Sequence, residues 1–310
     1  MKVDNPYTGE VHCELPLMDA REAGAVVARA AKAQQEWRRT RLAERMELCN
    51  RFMVEFEKSK DQVARDITGQ MGKPLNQSYN EINGMYSRTK ALIDLAPEAL
   101  AEDILPEKAG FFRKIVKEPV GVVLCLSPWN YPLLTAINTV IPAILAGNSV
   151  VIKHSPRTPL CASAFEKAFA AAGAPAGLVG SAVCDHDVVH ELIGHPDIAF
   201  VGFTGSVAGG HAVYKTVSNR FIDCTLELGG KDPAYVAPDA NLDAAVDTIV
   251  DGALYNSGQS CCAIERVYVH HSLYDAFLSR ALPLLQAHQL GDPLAAGTTL
   301  GPMAQPYAPG

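Results

Sequence analysis

The feature that most constrains this chain is the alternation of short apolar runs with helical patterns from Gly121 onward. Gly121–Leu126, Ser149–Lys153, Asp197–Val201 and Asp223–Glu227 read as strands, and Leu160–Ala172 and Ala208–Val217 read as helices between them. That order predicts a parallel sheet covered by helices, an architecture that binds ligands outside the carboxyl ends of its strands. The first hundred residues have a different texture. Asp19 followed by Glu22 makes a capping box, opening a helix through Val26, Val27 and Ala30 to Trp37. A second helix from Leu42 to about Lys58 puts Met46, Cys49, Phe52, Met53 and Phe56 near one face. A third follows Asp61 and ends at Met71-Gly72-Lys73-Pro74, and a fourth covers Tyr79–Leu95 and stops before Pro97.

Phe112–Glu118 reads as a further strand, cut off by Pro119. Beyond Gly229-Gly230 come a strand at Pro233–Val236, a helix over Leu242–Tyr255, a strand at Arg266–His270 and a helix over Leu273–His288. Residues 291–310 are loop-like, with repeated Gly and Pro. The break at Leu228-Gly229 divides the chain into residues 1–228 and 229–310.

Composition excludes several classes. Of 310 residues, 48% are hydrophobic and 20% charged, which is ordinary for a globular protein, and the formal charge of −7 argues against nucleic acid or an anionic membrane as partner. Apolar stretches such as Val120–Leu126 are too short to span a bilayer. The eight cysteines include no Cys-x-x-Cys pair and no zinc-finger spacing, so no metal site is expected. No apolar leader follows Met1, which points to the cytoplasm and to reduced thiols.

Four segments carry candidate chemistry. Asn256-Ser257-Gly258-Gln259-Ser260-Cys261-Cys262 lies between a helix and a strand, where a thiol is exposed to local N–H groups. The alternative is a pair of buried small hydrophobes. In Leu226-Glu227-Leu228-Gly229-Gly230-Lys231 a lone acid ends an apolar strand. Burial is expected to raise its pKa and suit it to act as a base, unless it simply faces water. In Ser127-Pro128-Trp129-Asn130-Tyr131-Pro132, Asn130 sits between two prolines, as a rigid amide donor for an oxyanion or as part of a plain turn. Phe203-Thr204-Gly205-Ser206 opens a helix and is not a Gly-x-Gly-x-x-Gly fingerprint, yet Gly205 and Ser206 offer N–H groups and a hydroxyl to a phosphate.

These pieces in this order, with Gly147-Asn148-Ser149-Val150-Val151-Ile152-Lys153 among them, resemble the aldehyde dehydrogenase superfamily, from Asn5-Pro6-Tyr7-Thr8-Gly9 to Leu300-Gly301-Pro302-Met303-Ala304. The resemblance implies an α/β fold with a Rossmann-type cofactor domain over residues 1–228 and an incomplete α/β catalytic domain over 229–310. It implies NAD or NADP as cofactor and a small aldehyde as substrate. Cys261 would be the nucleophile, Asn130 with the Cys261 N–H the oxyanion site, and Glu227 the base that hydrolyses a thioester. Trp129, Lys153, Ser155, Gly205, Ser206 and Leu228 would line the cofactor. Pro156 stands where NAD-preferring relatives carry a Glu, and Arg157 follows it, so NADP is expected to be accepted. Residues 111–120 resemble an inserted oligomerisation hairpin, implying a homo-oligomer that pairs through a C-terminal strand. Relatives continue past Gly301-Pro302-Met303-Ala304, so the chain is expected to be a truncated fragment, inactive alone or only binding cofactor or a partner. Ester hydrolysis by the same Cys and Glu is a third reading.

Overall fold

The computed structural model describes residues 1–305. The chain opens with an antiparallel hairpin of β1 (Lys2–Asp4) and β2 (Val11–Glu14), followed by α1 (Ala20–Trp37). The expected capping box is present: the Asp19 carboxylate accepts the Glu22 N–H at 2.7 Å, and the Glu22 carboxylate accepts the Asp19 N–H at 3.0 Å. Next come α2 (Leu42–Glu57), α3 (Lys60–Met71) and α4 (Leu75–Ala99). The α3 helix stops at Gly72, whose φ of 82° is left-handed; a side chain there would also meet Pro302 at 2.7 Å.

Two expectations fail in this stretch. The α4 helix starts a turn earlier than predicted and runs through Pro97. Pro97 lies in the last turn, where its missing N–H deprives only the Ile93 carbonyl, and the Leu100 N–H takes up the Ala96 carbonyl at 2.9 Å. The strand expected over Phe112–Glu118 shrinks to β4 (Lys114–Ile115), paired antiparallel with the unforeseen β3 (Asp103–Ile104). The side chains here, including Phe111 and Phe112, are exposed. With nothing packed against them, no longer extended run is stabilised.

The chain then builds its central sheet from β5 (Val122–Ser127), α5 (Pro132–Leu145), β6 (Ser149–His154), α6 (Leu160–Ala171), β7 (Val179–Ser181), α7 (His186–Gly194), β8 (Ile198–Thr204), α8 (Val207–Val217) and β9 (Asp223–Glu227). All neighbours are parallel, in the order β7-β6-β5-β8-β9. Alternate side chains of β5 serve opposite faces. Val123 and Cys125 join the core beneath α2 to α6, whereas Val122, Leu124 and Leu126 join the one beneath α1, α7 and α8. The β7 and α7 elements were not anticipated from the sequence. The strand order turns back between β5 and β8, which opens a crevice at their carboxyl ends.

After β9 the chain leaves this sheet. Parallel strands β10 (Asp232–Val236) and β11 (Ile264–Val269) form a separate pair, with α9 (Leu242–Leu254) and α10 (Tyr274–Ala287) packed on it. Their core holds Val236, Val246, Ile249, Val250, Phe277 and Ala281, while Tyr235 and Tyr268 are exposed. The following segment returns to the start of α4. The Leu75 N–H donates to the Pro293 carbonyl at 2.9 Å, and a side chain at Gly301 would strike the Gly72 carbonyl. The part of the predicted loop over residues 306–310 lies outside the described residues. Among those described, no helix is long and apolar enough to cross a membrane.

His154, at the end of β6, is buried and donates from Nε2 to the Pro132 carbonyl at 2.8 Å, tying the sheet to α5. Burial pushes its pKa down to about 4. The unfolded chain protonates this ring near pH ~6.5, so on acidification the unfolded state takes the proton first. The His154 contribution is therefore whole above that pH and is lost progressively towards pH 4, by about 3 kcal/mol. His154→Gln is expected to flatten the fall of the thermal midpoint across that window, as measured by denaturation at stepped pH.

Candidate active site

The carboxyl ends of β5, β6, β8 and β9 open into one cleft of about 1210 Å³. Asn130, Glu227 and Cys261 all line it, and so do Trp129, Lys153, Ser155, Gly205, Ser206 and Leu228. The structure thus brings every residue singled out from the sequence to a single cavity.

Each arrives on a turn after a strand or before a helix. Asn130 follows β5, and its Oδ1 accepts the Tyr131 N–H at 3.0 Å. That contact occupies Oδ1 and leaves the Nδ2 hydrogens as the donors of this carboxamide. Lys153 lies near the end of β6 and is only 5% exposed. Burial lowers its ammonium pKa, opposed by Cys184 and Asp185. Among the described residues its Nζ has no hydrogen-bond or ion-pair partner, so a buried cation is available to a ligand at the cleft wall. Ser155 is held beside it by its N–H, which donates to the Ser127 carbonyl at 2.8 Å. Ser206 caps α8 by accepting the Gly209 N–H at 3.1 Å, and the Gly205 N–H donates to the Glu227 carbonyl at 2.9 Å. The α8 N-terminus is thereby fastened to the end of β9.

Glu227 corrects one expectation. It is exposed, not buried. It ends the edge strand of the sheet, and the described residues leave that side of β9 open. The chain then turns through Gly229 (φ 90°), and a side chain at Gly230 would lie 3.3 Å from the Cys261 carbonyl. The acid-bearing turn and the thiol-bearing turn are therefore packed backbone to backbone.

The thiol-bearing turn is strained. Asn256, Ser257 and Gly258 are left-handed in succession, with φ of 54°, 57° and 73°. Such a conformation costs roughly 1–2 kcal/mol for each residue that is not glycine. Neighbours hold it in place. The Gln77 side chain accepts the Asn256 N–H at 2.9 Å, Ser257 donates to the Gly301 carbonyl at 2.9 Å, and Gln259 accepts the Ala304 N–H at 2.9 Å. Cys261 and Cys262 emerge from this turn exposed, which rules out the reading of both as buried hydrophobes. Partial desolvation is the main cause that raises the Cys261 thiol pKa, followed by the neighbouring Cys262, while its own backbone N–H works the other way.

Two further points went unread in the sequence. Arg157, expected to be free for a ribose phosphate, is engaged: its guanidinium donates to the Asp4 carboxylate at 2.6 Å and to the Asp4 carbonyl at 2.5 Å. The partner is 153 positions away, so no local pattern signals it. His186 and His190 also line the cleft. They belong to α7, for which the only sequence signal was Asp185 as an N-cap. Among the described residues no cluster of His, Cys, Asp or Glu is arranged to hold a metal.

A doubly wound parallel sheet whose crevice gathers a strained cysteine turn, an acid and a lysine with no partner among the described residues belongs to the open α/β class that binds ligands where the strand order reverses. Residues 1–308 match the aldehyde dehydrogenase family, and the chain belongs to it. It is 35% identical over 305 residues to 3,6-anhydro-alpha-L-galactose dehydrogenase of Streptomyces coelicolor, covering 98% of this chain and 62% of that protein. It is 34% identical to succinate-semialdehyde dehydrogenase [NADP(+)] of Deinococcus radiodurans, covering 98% and 64%. The structure of succinic semialdehyde dehydrogenase from Streptococcus pyogenes with NADP+ superposes with a TM-score of 0.92 at 28% identity, covering 98% of this chain and 67% of that one. The chain thus spans a little under two thirds of the length of the two curated relatives.

The raised thiol pKa makes a directional prediction. Iodoacetamide alkylation of Cys261, resolved by mass spectrometry, is expected to climb about tenfold per pH unit from pH 7 and to keep climbing past pH 9. A rate that levels off below pH 8 would contradict this.

Proposed function

We propose that the chain carries the cysteine chemistry of an NAD(P)-dependent aldehyde dehydrogenase, oxidising a small aldehyde to its carboxylic acid. The observation that supports this reading is the shared cleft, in which Cys261, Glu227, Asn130 and Lys153 face one space of about 1210 Å³. The Cys261 thiolate adds to the aldehyde carbon. The Asn130 Nδ2 and the Cys261 N–H donate to the oxyanion, stabilising charge where it develops. A nicotinamide held in the cleft would supply the acceptor for the hydride that leaves this carbon. The resulting thioester is attacked by water, from which Glu227 takes a proton, and the acid departs as the thiolate is restored.

The residues fit a dinucleotide. Lys153 supplies a buried cation that lacks a partner among the described residues, Ser155 adds a hydroxyl, and Gly205 with Ser206 presents the N-terminus of α8 to a pyrophosphate. Pro156 offers no carboxylate to repel a 2′-phosphate. Two of the relatives named above carry NADP in their descriptions. We therefore assign NADP as an accepted cofactor, with Lys153 and Ser155 meeting its phosphate in place of the engaged Arg157.

Glu227→Gln tests the base. Challenged with an aldehyde and NADP, this variant is expected to make a burst of reduced cofactor and to accumulate a thioester on Cys261, seen by mass spectrometry. Cys261→Ser is expected to show neither. Direct titration tests the cofactor assignment: NADP should bind no more weakly than NAD, and Lys153→Met should weaken NADP at least tenfold, about 1.4 kcal/mol. A strong preference for NAD would refute it.

A further inference from the structure

A set of polar groups that this chemistry leaves unused lies directly behind the Asn130 turn. Lys73 and Glu81 form an ion pair with both side chains wholly out of solvent. Lys73 comes from the connection between α3 and α4, and Glu81 from α4. The second Glu81 oxygen accepts the N–H groups of Leu133 at 2.8 Å and Leu134 at 3.2 Å. A carboxylate from one helix thus caps the N-terminus of another, α5, where the helix dipole favours negative charge. The Lys73 ammonium also sits 4.0 Å from the centroid of the Tyr131 ring.

From Tyr131 the contacts run to the nucleophile turn. The Tyr131 hydroxyl lies near the Ser260 side chain, with no hydrogen bond between them among the described residues, and the Ser260 Oγ lies 3.3 Å from the Cys262 Sγ. A second link closes nearby, where the Asn256 carboxamide donates to the Asn130 carbonyl at 3.4 Å. The buried pair therefore meets the ring of Tyr131, the neighbour of the oxyanion donor, and that ring in turn lies near Ser260, the neighbour of the thiol.

Stability does not account for such a pair. Burying two charges costs about what their attraction returns, and apolar replacements of similar volume are often neutral or better. What the pair provides is geometry: a cation, a carboxylate, a helix terminus and a ring in one arrangement.

We propose that Lys73 and Glu81 are positioning residues that fix the α5 N-terminus and Tyr131, and thereby the separation between the Asn130 carboxamide and the Cys261 turn. This rests on the reading that Asn130 and Cys261 flank one carbonyl, and the readouts below keep the two ideas apart.

The test is the double variant Lys73→Met/Glu81→Gln, which removes both charges at similar volume and keeps a carbonyl oxygen for α5. Glu81→Gln alone strands the ammonium and is expected to lower the thermal midpoint by roughly 10 °C. The double variant should regain most of that. With the midpoint regained, cofactor-free hydrolysis of a nitrophenyl ester is expected to show kcat about tenfold below the parent chain and KM within about twofold, because small misplacements of catalytic groups act on turnover. Recovery of both the midpoint and the parent kcat would overturn the proposal, since a purely structural role predicts it.

Should the parent chain not hydrolyse the ester, the proposed function fails there, and amide exchange at Leu133 and Leu134 decides instead. Faster exchange in a double variant of normal midpoint upholds the positioning role, and unchanged exchange overturns it. Tyr131→Phe covers the case of a double variant that does not fold. It keeps the ring over Lys73 and removes only the hydroxyl near Ser260. A lowered kcat, or faster exchange across Ser260–Ala263, at an unaltered midpoint supports the link; no change in either overturns it.

Discussion

The strand-borne wall of the cleft depends on the reversal of strand order between β5 and β8. Parallel strands deliver their carboxyl ends to one edge, and the reversal leaves a gap there that no crossover helix fills. Asn130, Lys153, Ser206 and Glu227 follow or end four different strands, so the sheet's hydrogen bonds set their separations. Ser155 on Ser127 and Gly205 on Glu227 are backbone links between neighbouring strand ends, and they turn sheet register directly into site geometry.

The thiol comes from outside this sheet, and it is delivered differently. No strand end carries Cys261. A left-handed turn carries it, and that turn borrows its stability from α4 through Gln77 and from the Gly301–Ala304 segment. The packing of Gly301 on Gly72 closes the loop of dependence: the α3–α4 connection supports both the returning segment and, through Lys73, the Asn130 turn. Glycine at 72 and 301 is thus a requirement of close approach between two backbones.

Much of this was legible in the sequence because local pattern and tertiary role agree there. The strand–helix alternation, the Asp19 capping box, the Gly72 stop and the strand ending at Glu227 all follow from short-range rules, and the family motifs mark the residues that meet in the cleft. What was not legible depends on partners distant in sequence. Pro97 reads as a stop, yet Ile93 and Ala96 are buried against the core and carry the helix through it. Phe112–Glu118 reads as a strand by composition, but an extended run needs a covering surface that the described residues do not supply. Leu226-Glu227-Leu228 looks like a buried strand end, and only the sheet order reveals an edge. The Lys73–Glu81 pair was invisible for a related reason: the sequence shows a charged residue on either side of a helix start, not that both are sealed from water.

The Arg157–Asp4 contact carries a consequence for the protein's mechanics. The guanidinium belongs to the loop that leaves the cleft wall after Ser155, and its anchor is the first strand of the polypeptide, 153 positions away. Shaving off the residues ahead of Asn5 would strip a buried cation of both its acceptors, so damage inflicted at the amino end would be felt at the wall of the cleft.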